Sequence, residues 1–134
     1  MRLEQGPTLE TLTALAREEP NVCILWLYGS RAKGTAQADS DYDLAVAFNR
    51  FPDDTWEKRL QPELLAQRWQ DALPKDSKPI SVVDINHIPL TLAYSVISSG
   101  KVLLAKDTLR LAREENRISS MWELDHEYHK RIFG

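Results

Sequence analysis

The sequence predicts a small α/β (α+β) domain in which a mixed sheet of about four strands is flanked by helices. Four short segments are apolar and rich in residues that favour strands, and the longer segments between them carry apolar residues at helical spacing. The length of 134 residues fits a single domain, so residues 1–134 are expected to form one unit. Alternating helices and strands favour a sheet covered by helices.

Residues 8–48 are predicted to form a helix, a strand, a loop and a second strand. Residues 8–18 repeat apolar side chains at helical spacing after a proline, which suits a first helical turn. Residues 22–28 are continuously apolar, which is typical of a strand buried on both faces. Residues 29–40 are polar and contain two glycines, which indicates a loop with at most a short helical turn. Residues 42–48 alternate as a second strand does.

Residues 55–73 are predicted to form the second major helix, and Pro62 is expected to kink or split it. Its apolar positions are Trp56, Leu60, Leu64, Leu65, Trp69 and Leu73.

A third strand, a helix, a fourth strand and a final helix complete the predicted order. The strands are residues 80–85 and 102–105, and the helix between them, residues 90–99, ends at Gly100. Residues 107–130 form a long polar helix that we expect to be either a solvated face or a surface for docking a partner. Its expected buried stripe is Ile118, Met121, Trp122 and Tyr128.

Composition excludes several classes of protein. The formal charge of -3 argues against a dedicated nucleic-acid binder, which usually needs a basic face, so no direct nucleic-acid partner is expected. The longest apolar run, residues 22–28, is too short to span a membrane, and no signal peptide is visible. Cys23 stands alone in that run and is expected to be a small buried hydrophobe. A cytoplasmic protein fits these features.

The loop after the first strand has the composition of a phosphate-binding segment. Gly29 would let a ligand approach the backbone closely, and Ser30 supplies a hydroxyl beside free N–H groups. Arg31 and Lys33 add positive charge and are candidate phosphate contacts. The segment is not a P-loop, because the lysine that such a loop places after its second glycine is missing after Gly34.

Asp41 and Asp43 open the second strand and are the candidate metal ligands. A period of two puts both carboxylates on one face. Two carboxylates about 4 Å apart repel by roughly 4 kcal/mol at an effective dielectric of about 20, so a bound cation is the usual reason to keep them. Oxygen ligands favour Mg²⁺ or Mn²⁺.

Asp84 is the third candidate, because a carboxylate is unexpected in an apolar strand. If its strand lies beside the one that carries Asp43, the three carboxylates can converge into a site for two metal ions, with Asp84 as ligand or general base. Taken singly, each feature also has an ordinary interpretation: a strand-to-loop turn at Gly29, a solvated acidic loop at residues 39–43, and a strand-end residue at Asp84. Their combination is what indicates chemistry.

The histidines and tryptophans are more ambiguous. His126 and His129 have a spacing that could share a metal ion, but a solvated helix face is favoured because no third ligand is evident. His87 follows Asp84 and is either a loop residue or a neighbour of the site. Most of the tryptophans are expected to pack in the core, with Trp122 the one that could contact a partner.

Gly29-Ser30, ten residues and then Asp41-x-Asp43 resembles the G-S-x(10)-D-x-D pattern of DNA polymerase β-like nucleotidyltransferases. The small size and layout resemble the minimal nucleotidyltransferase (MNT) antitoxins that are paired with HEPN-domain toxins, and the resemblance covers about residues 9–107. It implies that Gly29 and Ser30 contact nucleotide phosphates and that Asp41, Asp43 and Asp84 bind Mg²⁺. It also implies that AMP passes from ATP to a tyrosine of the HEPN toxin and silences its RNase.

Two other functions stay open at this point. The chain could be an antitoxin that neutralises the HEPN toxin by binding alone. It could also be a nucleotidyltransferase for a small molecule, although such relatives usually carry an additional substrate domain. The acceptor residue, the number of AMP units and the stoichiometry of a complex are not fixed by the sequence.

Overall fold

A computed structural model describes residues 6–133. The helices and strands follow one another in the order α1 (Pro7–Glu18), β1 (Val22–Tyr28), α2 (Ser30–Lys33), β2 (Tyr42–Phe48), α3 (Thr55–Ala72), β3 (Ile80–Asp84), α4 (Leu90–Ser99), β4 (Lys101–Ala105) and α5 (Thr108–Phe133). The predicted fold class is confirmed, and most element boundaries agree with the predicted segments to within a residue or two. The predicted loop after β1 contains one short helix, α2.

The four strands form one mixed sheet in the order β3-β2-β1-β4. β1 pairs antiparallel with both β2 and β4, whereas β2 and β3 run parallel. The two central strands are also the most apolar, because both of their faces are covered by helices and neither has an open edge. The start of β2 lies beside the end of β1, which brings the glycine-containing loop next to the aspartate pair.

Two cores lie on opposite faces of the sheet. One packs α1 and α3 against even-numbered residues of β2, with Leu44 and Val46 fully buried. The other packs α4 and α5 against the odd-numbered residues Ala45 and Ala47. Cys23 is buried in this second core, as expected from its apolar surroundings. Parity along β2 and β3 therefore decides which face each candidate side chain occupies.

α3 runs continuously through Pro62, so the helix is not split there. Two expectations of buried side chains on the helices are wrong. Trp56, in the first turn of α3, is 64% exposed rather than buried, because the core begins further along that helix. On α5, Met121 and Tyr128 are exposed instead of joining Ile118 in the core, because the C-terminal half of that helix extends past the sheet.

A buried charge network attaches α5 to the rest of the domain. The Glu114 carboxylate accepts hydrogen bonds from Arg117 at 2.7 Å, Arg110 at 2.9 Å and Asn86 at 3.0 Å. Arg110 also donates to the Phe48 carbonyl at 3.2 Å. Burial acts to raise the pKa of Glu114, yet the hydrogen bonds from Arg117, Arg110 and Asn86 outweigh it and leave the pKa below its ordinary value.

No helix within residues 6–133 is long and apolar enough to cross a membrane.

Candidate active site

The turn after β1 is built around a glycine that no other residue could replace without strain. Gly29 has φ 73° and ψ -155°, a region that is essentially restricted to glycine. A Cβ added at Gly29 would stand 2.3 Å from Oδ2 of Asp43. The glycine is therefore required both by the backbone and by the close approach of the Asp43 carboxylate. The G-S and D-x-D parts of the motif meet at this contact.

Asp43 lies in the middle of a row of side chains that crosses three strands. It pairs with Tyr28 of β1 on one side and with Ser81 of β3 on the other, so all three share one face. The Ser81 hydroxyl donates a hydrogen bond of 3.2 Å to Oδ1 of Asp43. With Gly29 against Oδ2 and Ser81 on Oδ1, both oxygens of this carboxylate have fixed surroundings.

Tyr28 and Asp41 complete the surroundings of Asp43. Burial, and next the negative charge of Asp43, raise the pKa of the Tyr28 phenol, so Tyr28 stays protonated beside the carboxylate. Asp41 is exposed and directly precedes β2. The alternation of an extended chain puts Asp41 on the face of Asp43. Asp41 and Asp43 therefore share one face at the start of β2, and their role as a pair of metal ligands stays a prediction.

Arg31 is a predicted phosphate contact, but its side chain is held within the protein instead of projecting toward Asp43. Its side chain is buried on the opposite face of the sheet from Asp43, stacked 3.9 Å above the Tyr42 ring. Its Nε and Nη2 donate to the Ser40 carbonyl at 3.0 and 2.6 Å. Arg31 therefore ties the turn that follows Gly29 to the segment that leads into Asp41.

Ser30 and Lys33 remain available to a ligand. Ser30 begins α2, so its backbone N–H has no acceptor within that helix, and its carbonyl accepts from Thr35 N at 3.0 Å. Lys33 is exposed in the last turn of α2. Neither residue contacts Asp43 in a hydrogen bond among the described residues, so their roles toward phosphate stay predictions.

Asp84 does not converge with Asp41 and Asp43. In the parallel pairing of β2 and β3, Asp84 faces Val46, which lies in the core on the opposite side of the sheet from Asp43. The three residues of register between Ser81 and Asp84 also separate the positions by about 10 Å along the strand. The two strands are neighbours, as the hypothesis required. Their register, however, puts Asp84 on the face of the sheet opposite to that of Asp43.

Asp84 instead closes the turn after β3. Its Oδ1 accepts from the Asn86 backbone N–H at 2.9 Å, and Oδ2 lies 2.8 Å from Nδ1 of His87. These partners satisfy a carboxylate that is only 3% exposed, which explains an acidic residue in an apolar strand without a metal ion. His87 accordingly lies at the far end of the sheet from Asp43.

The remaining aromatic and histidine residues fall outside the site. Trp26 and Trp69 are buried in the two cores, as expected. Trp122 stacks on Tyr94 of α4 with ring centroids 4.4 Å apart, which anchors α5 rather than leaving the indole free. His129 contacts Tyr128 and Phe133 on the exposed end of α5. Across residues 6–133, no group of three or more acidic, histidine or cysteine side chains could hold a metal ion.

The donor set at Asp41 and Asp43 nevertheless fits a hard divalent cation. Mg²⁺ is commonly bound through one or two carboxylates, with water and substrate phosphates supplying the other oxygens. Asp43 is only partly buried and Asp41 is exposed, so both can be reached from solvent. The missing Cβ at Gly29 leaves the room in which the Asp43 carboxylate stands.

Residues 10–109 match the family model described as Polymerase beta, Nucleotidyltransferase. The chain belongs to this nucleotidyltransferase family. The matched region includes the whole sheet and each candidate site residue from Gly29 to Asp84. Among known proteins, the protein adenylyltransferase MntA of Aphanizomenon flos-aquae (strain 2012/KM1/D3) is 30% identical over 106 residues, which are 72% of this chain and 69% of that protein. The resemblance to MNT antitoxins is confirmed.

Solved structures show the same fold in toxin–antitoxin complexes. A crystal structure of a toxin–antitoxin with AMP-PNP aligns with a TM-score of 0.73 at 23% identity, covering 92% of this chain and 94% of the other. A tri-AMPylated Shewanella oneidensis HEPN toxin in complex with an MNT antitoxin gives a TM-score of 0.68 at 21% identity, covering 93% and 92%. At these identities the alignments establish the fold that the nucleotidyltransferase shares with them.

Sequence reasoning missed Ser81. Ser81 could have been noticed as a polar side chain inside the apolar run of β3. It lies three residues before Asp84 and therefore on the other face of the strand. Without the register between β2 and β3, the acidic residue was the more conspicuous of the two.

Proposed function

We propose that this nucleotidyltransferase is an antitoxin that transfers AMP from ATP to a tyrosine of a cognate HEPN toxin and thereby silences the toxin's RNase. The observation that carries the proposal is the packing of Gly29 against Asp43, since it unites both parts of the motif in one site. Two relatives support the substrate and the partner: the adenylyltransferase MntA, and the MNT antitoxin in complex with an AMPylated HEPN toxin.

In the proposed reaction, the tyrosine oxygen attacks the α-phosphorus of ATP and forms a new P–O bond. The bond from that phosphorus to the β-phosphate oxygen breaks, pyrophosphate leaves and the hydroxyl proton is released. Gly29 and Ser30 line the approach of the phosphates, because the turn presents backbone N–H groups without a bulky side chain. Lys33, exposed on the same turn, is the proposed cationic contact.

Asp41 and Asp43 are the proposed ligands of Mg²⁺, with Mn²⁺ as an alternative ion. When bound, the ion neutralises charge that develops on the phosphate oxygens in the transition state. The two residues keep their carboxylates on the solvent-facing start of β2, where a triphosphate can reach them. Asp84 has no part in the proposed centre, because its oxygens are used by Asn86 and His87.

The C-terminal half of α5 is the proposed docking surface for the toxin. Its exposed apolar side chains recur along one side of the helix at Met121, Leu124, Tyr128 and Ile132. An apolar stripe that is left uncovered on a helix is typical of a surface that binds a partner. We also infer a cytoplasmic setting, because the proposed reaction needs ATP and an RNase toxin.

Mass spectrometry of an intact HEPN toxin that forms a complex with this chain tests the proposal. We expect one or more AMP units after incubation with the wild-type chain, ATP and Mg²⁺. Asp43→Ala should lower transfer by at least about a thousandfold, since lost metal binding is worth several kcal/mol and each 1.36 kcal/mol is tenfold in rate. Asp39→Ala is the matched control, because Asp39 is an exposed acidic residue of the same loop that lies outside β2.

The competing functions predict different results. A binding-only antitoxin would neutralise the toxin equally well as the Asp41→Ala/Asp43→Ala variant and would leave the toxin's mass unchanged. A small-molecule transferase would release pyrophosphate only when a particular compound is added. A loss of less than about tenfold for Asp43→Ala would mean that the carboxylate pair is not the metal site.

A further inference from the structure

Ser81 occupies the position of β3 that faces the proposed metal ligand Asp43. The register pairs Asp43 with Ser81 directly, and the two side chains lie on the same face of neighbouring parallel strands. Strands in a sheet are about 4.8 Å apart, so the side chain at residue 81 points into the same space as Asp43. Ile80 and Val82 face the opposite core, and Val83, which shares the face of Ser81, pairs with Ala45 instead of Asp43.

The present side chain at residue 81 is a neutral donor. The Ser81 hydroxyl donates to Oδ1 of Asp43 at 3.2 Å, while Gly29 stands against Oδ2. The hydrogen bond restricts rotation of the carboxylate and directs it between β1 and β3. Ser81 is exposed, so a larger or charged side chain fits there without disturbing either core.

We propose that residue 81 is the third ligand position of this centre and that Ser81 makes it a two-carboxylate site, in which the serine orients Asp43 without adding charge. This inference rests on the proposed function, because it assigns a role relative to the cation at Asp41 and Asp43. It is supported by the lack, within residues 6–133, of any group of three acidic, histidine or cysteine side chains able to hold a metal ion.

Two consequences for metal affinity follow from electrostatics. A site with two carboxylates attracts a divalent cation less strongly than a site with three, because each added negative charge at about 4 Å strengthens the attraction. Ser81→Asp should therefore raise the affinity for Mn²⁺ by at least about tenfold. Ser81→Ala should lower it by about tenfold, because the Asp43 carboxylate loses the hydrogen bond that orients it.

The experiment measures Mn²⁺ binding to the complete chain by electron paramagnetic resonance, without ATP or toxin. The variants are wild type, Ser81→Asp, Ser81→Ala and Asp43→Ala, with Ser120→Asp as a control that adds the same charge at an exposed position on α5. Circular dichroism confirms that each variant is folded. Transfer to the toxin is then measured for the same set, where Ser81→Asp should increase the rate at limiting Mn²⁺.

The expected result is a higher Mn²⁺ affinity for Ser81→Asp, with no change for Ser120→Asp. If Ser81→Asp binds Mn²⁺ within about threefold of wild type while Asp43→Ala abolishes binding, residue 81 is not a ligand position, and the proposed function stands. If wild type and Asp43→Ala bind Mn²⁺ equally, the carboxylate pair is not a metal site, and both proposals fail together.

Discussion

Replacing Gly29 with alanine tests whether this glycine acts on the site through Asp43. The added Cβ would meet Oδ2 of Asp43 at 2.3 Å, against ordinary contacts of 3.4 Å or more. The carboxylate must then move by about 1 Å, and a misplacement of this size at a reacting group can cost about a hundredfold in rate. We therefore expect Gly29→Ala to lower AMP transfer by about a hundredfold or more.

The free energy of unfolding separates the cost of the backbone conformation at residue 29 from the cost of the collision between the added Cβ and Asp43. The backbone conformation of Gly29 should cost an alanine about 1–3 kcal/mol, and forcing atoms into filled space should add about 1–3 kcal/mol. Asp43→Ala removes the colliding oxygen. Gly29→Ala should therefore destabilise the Asp43→Ala background by about 1–3 kcal/mol less than it destabilises wild type.

Gly34 provides the matched control. It also has a positive φ, 77°, but an added Cβ would meet nothing within 4 Å. Gly34→Ala should cost about 1 kcal/mol of stability and leave transfer within about threefold of wild type.

The assay is chemical denaturation of wild type, the three single variants and the Gly29→Ala/Asp43→Ala double variant, together with transfer rates for the variants that retain Asp43. Equal destabilisation by Gly29→Ala in the wild-type and Asp43→Ala backgrounds, to within about 0.5 kcal/mol, would refute the proposed contact. Comparable losses of transfer for Gly29→Ala and Gly34→Ala would show that loop distortion, rather than displacement of Asp43, explains the effect.

Three further predictions address other parts of the molecule. Arg31→Lys should slow transfer by about tenfold without changing the KM for ATP, because a lysine cannot reproduce the paired hydrogen bonds to the Ser40 carbonyl. A raised KM would instead indicate that Arg31 contacts the nucleotide. Glu114→Gln should cost about 2 kcal/mol near neutral pH. The pKa of Glu114 is lowered by folding, so its contribution is present above its ordinary value of 4.5 and is lost as the pH falls through the folded pKa; denaturation at several pH values should show the two proteins converging in acid. Leu124→Asp should weaken binding to the HEPN toxin by at least tenfold in calorimetry, whereas Lys130→Glu, on the other side of α5, should not, and equal effects would argue against the stripe as the interface.

The local features of this protein could be read from the sequence because they depend on neighbours along the chain. The apolar run 22–28 and the alternation of 42–48 gave β1 and β2 their correct limits. The same alternation put Asp41 and Asp43 on one face, at the start of the second strand. Gly29 could be singled out because a strand that ends in glycine leaves its backbone open to close approach.

Only the tertiary structure decided which side chains meet across strands. Register between β2 and β3 depends on packing over long separations, and a shift by one residue moves every side chain to the other face. The observed register puts Ser81 beside Asp43. It leaves Asp84 on the other face, in the turn with Asn86 and His87. Arg31 likewise looked like a phosphate ligand from its charge, but the fold turns it to the opposite face, where loop carbonyls and the Tyr42 ring satisfy it. The residue types near the site and their alternation along the strands were therefore determined by the sequence alone, whereas the side chains that each of them contacts depend on long-range packing.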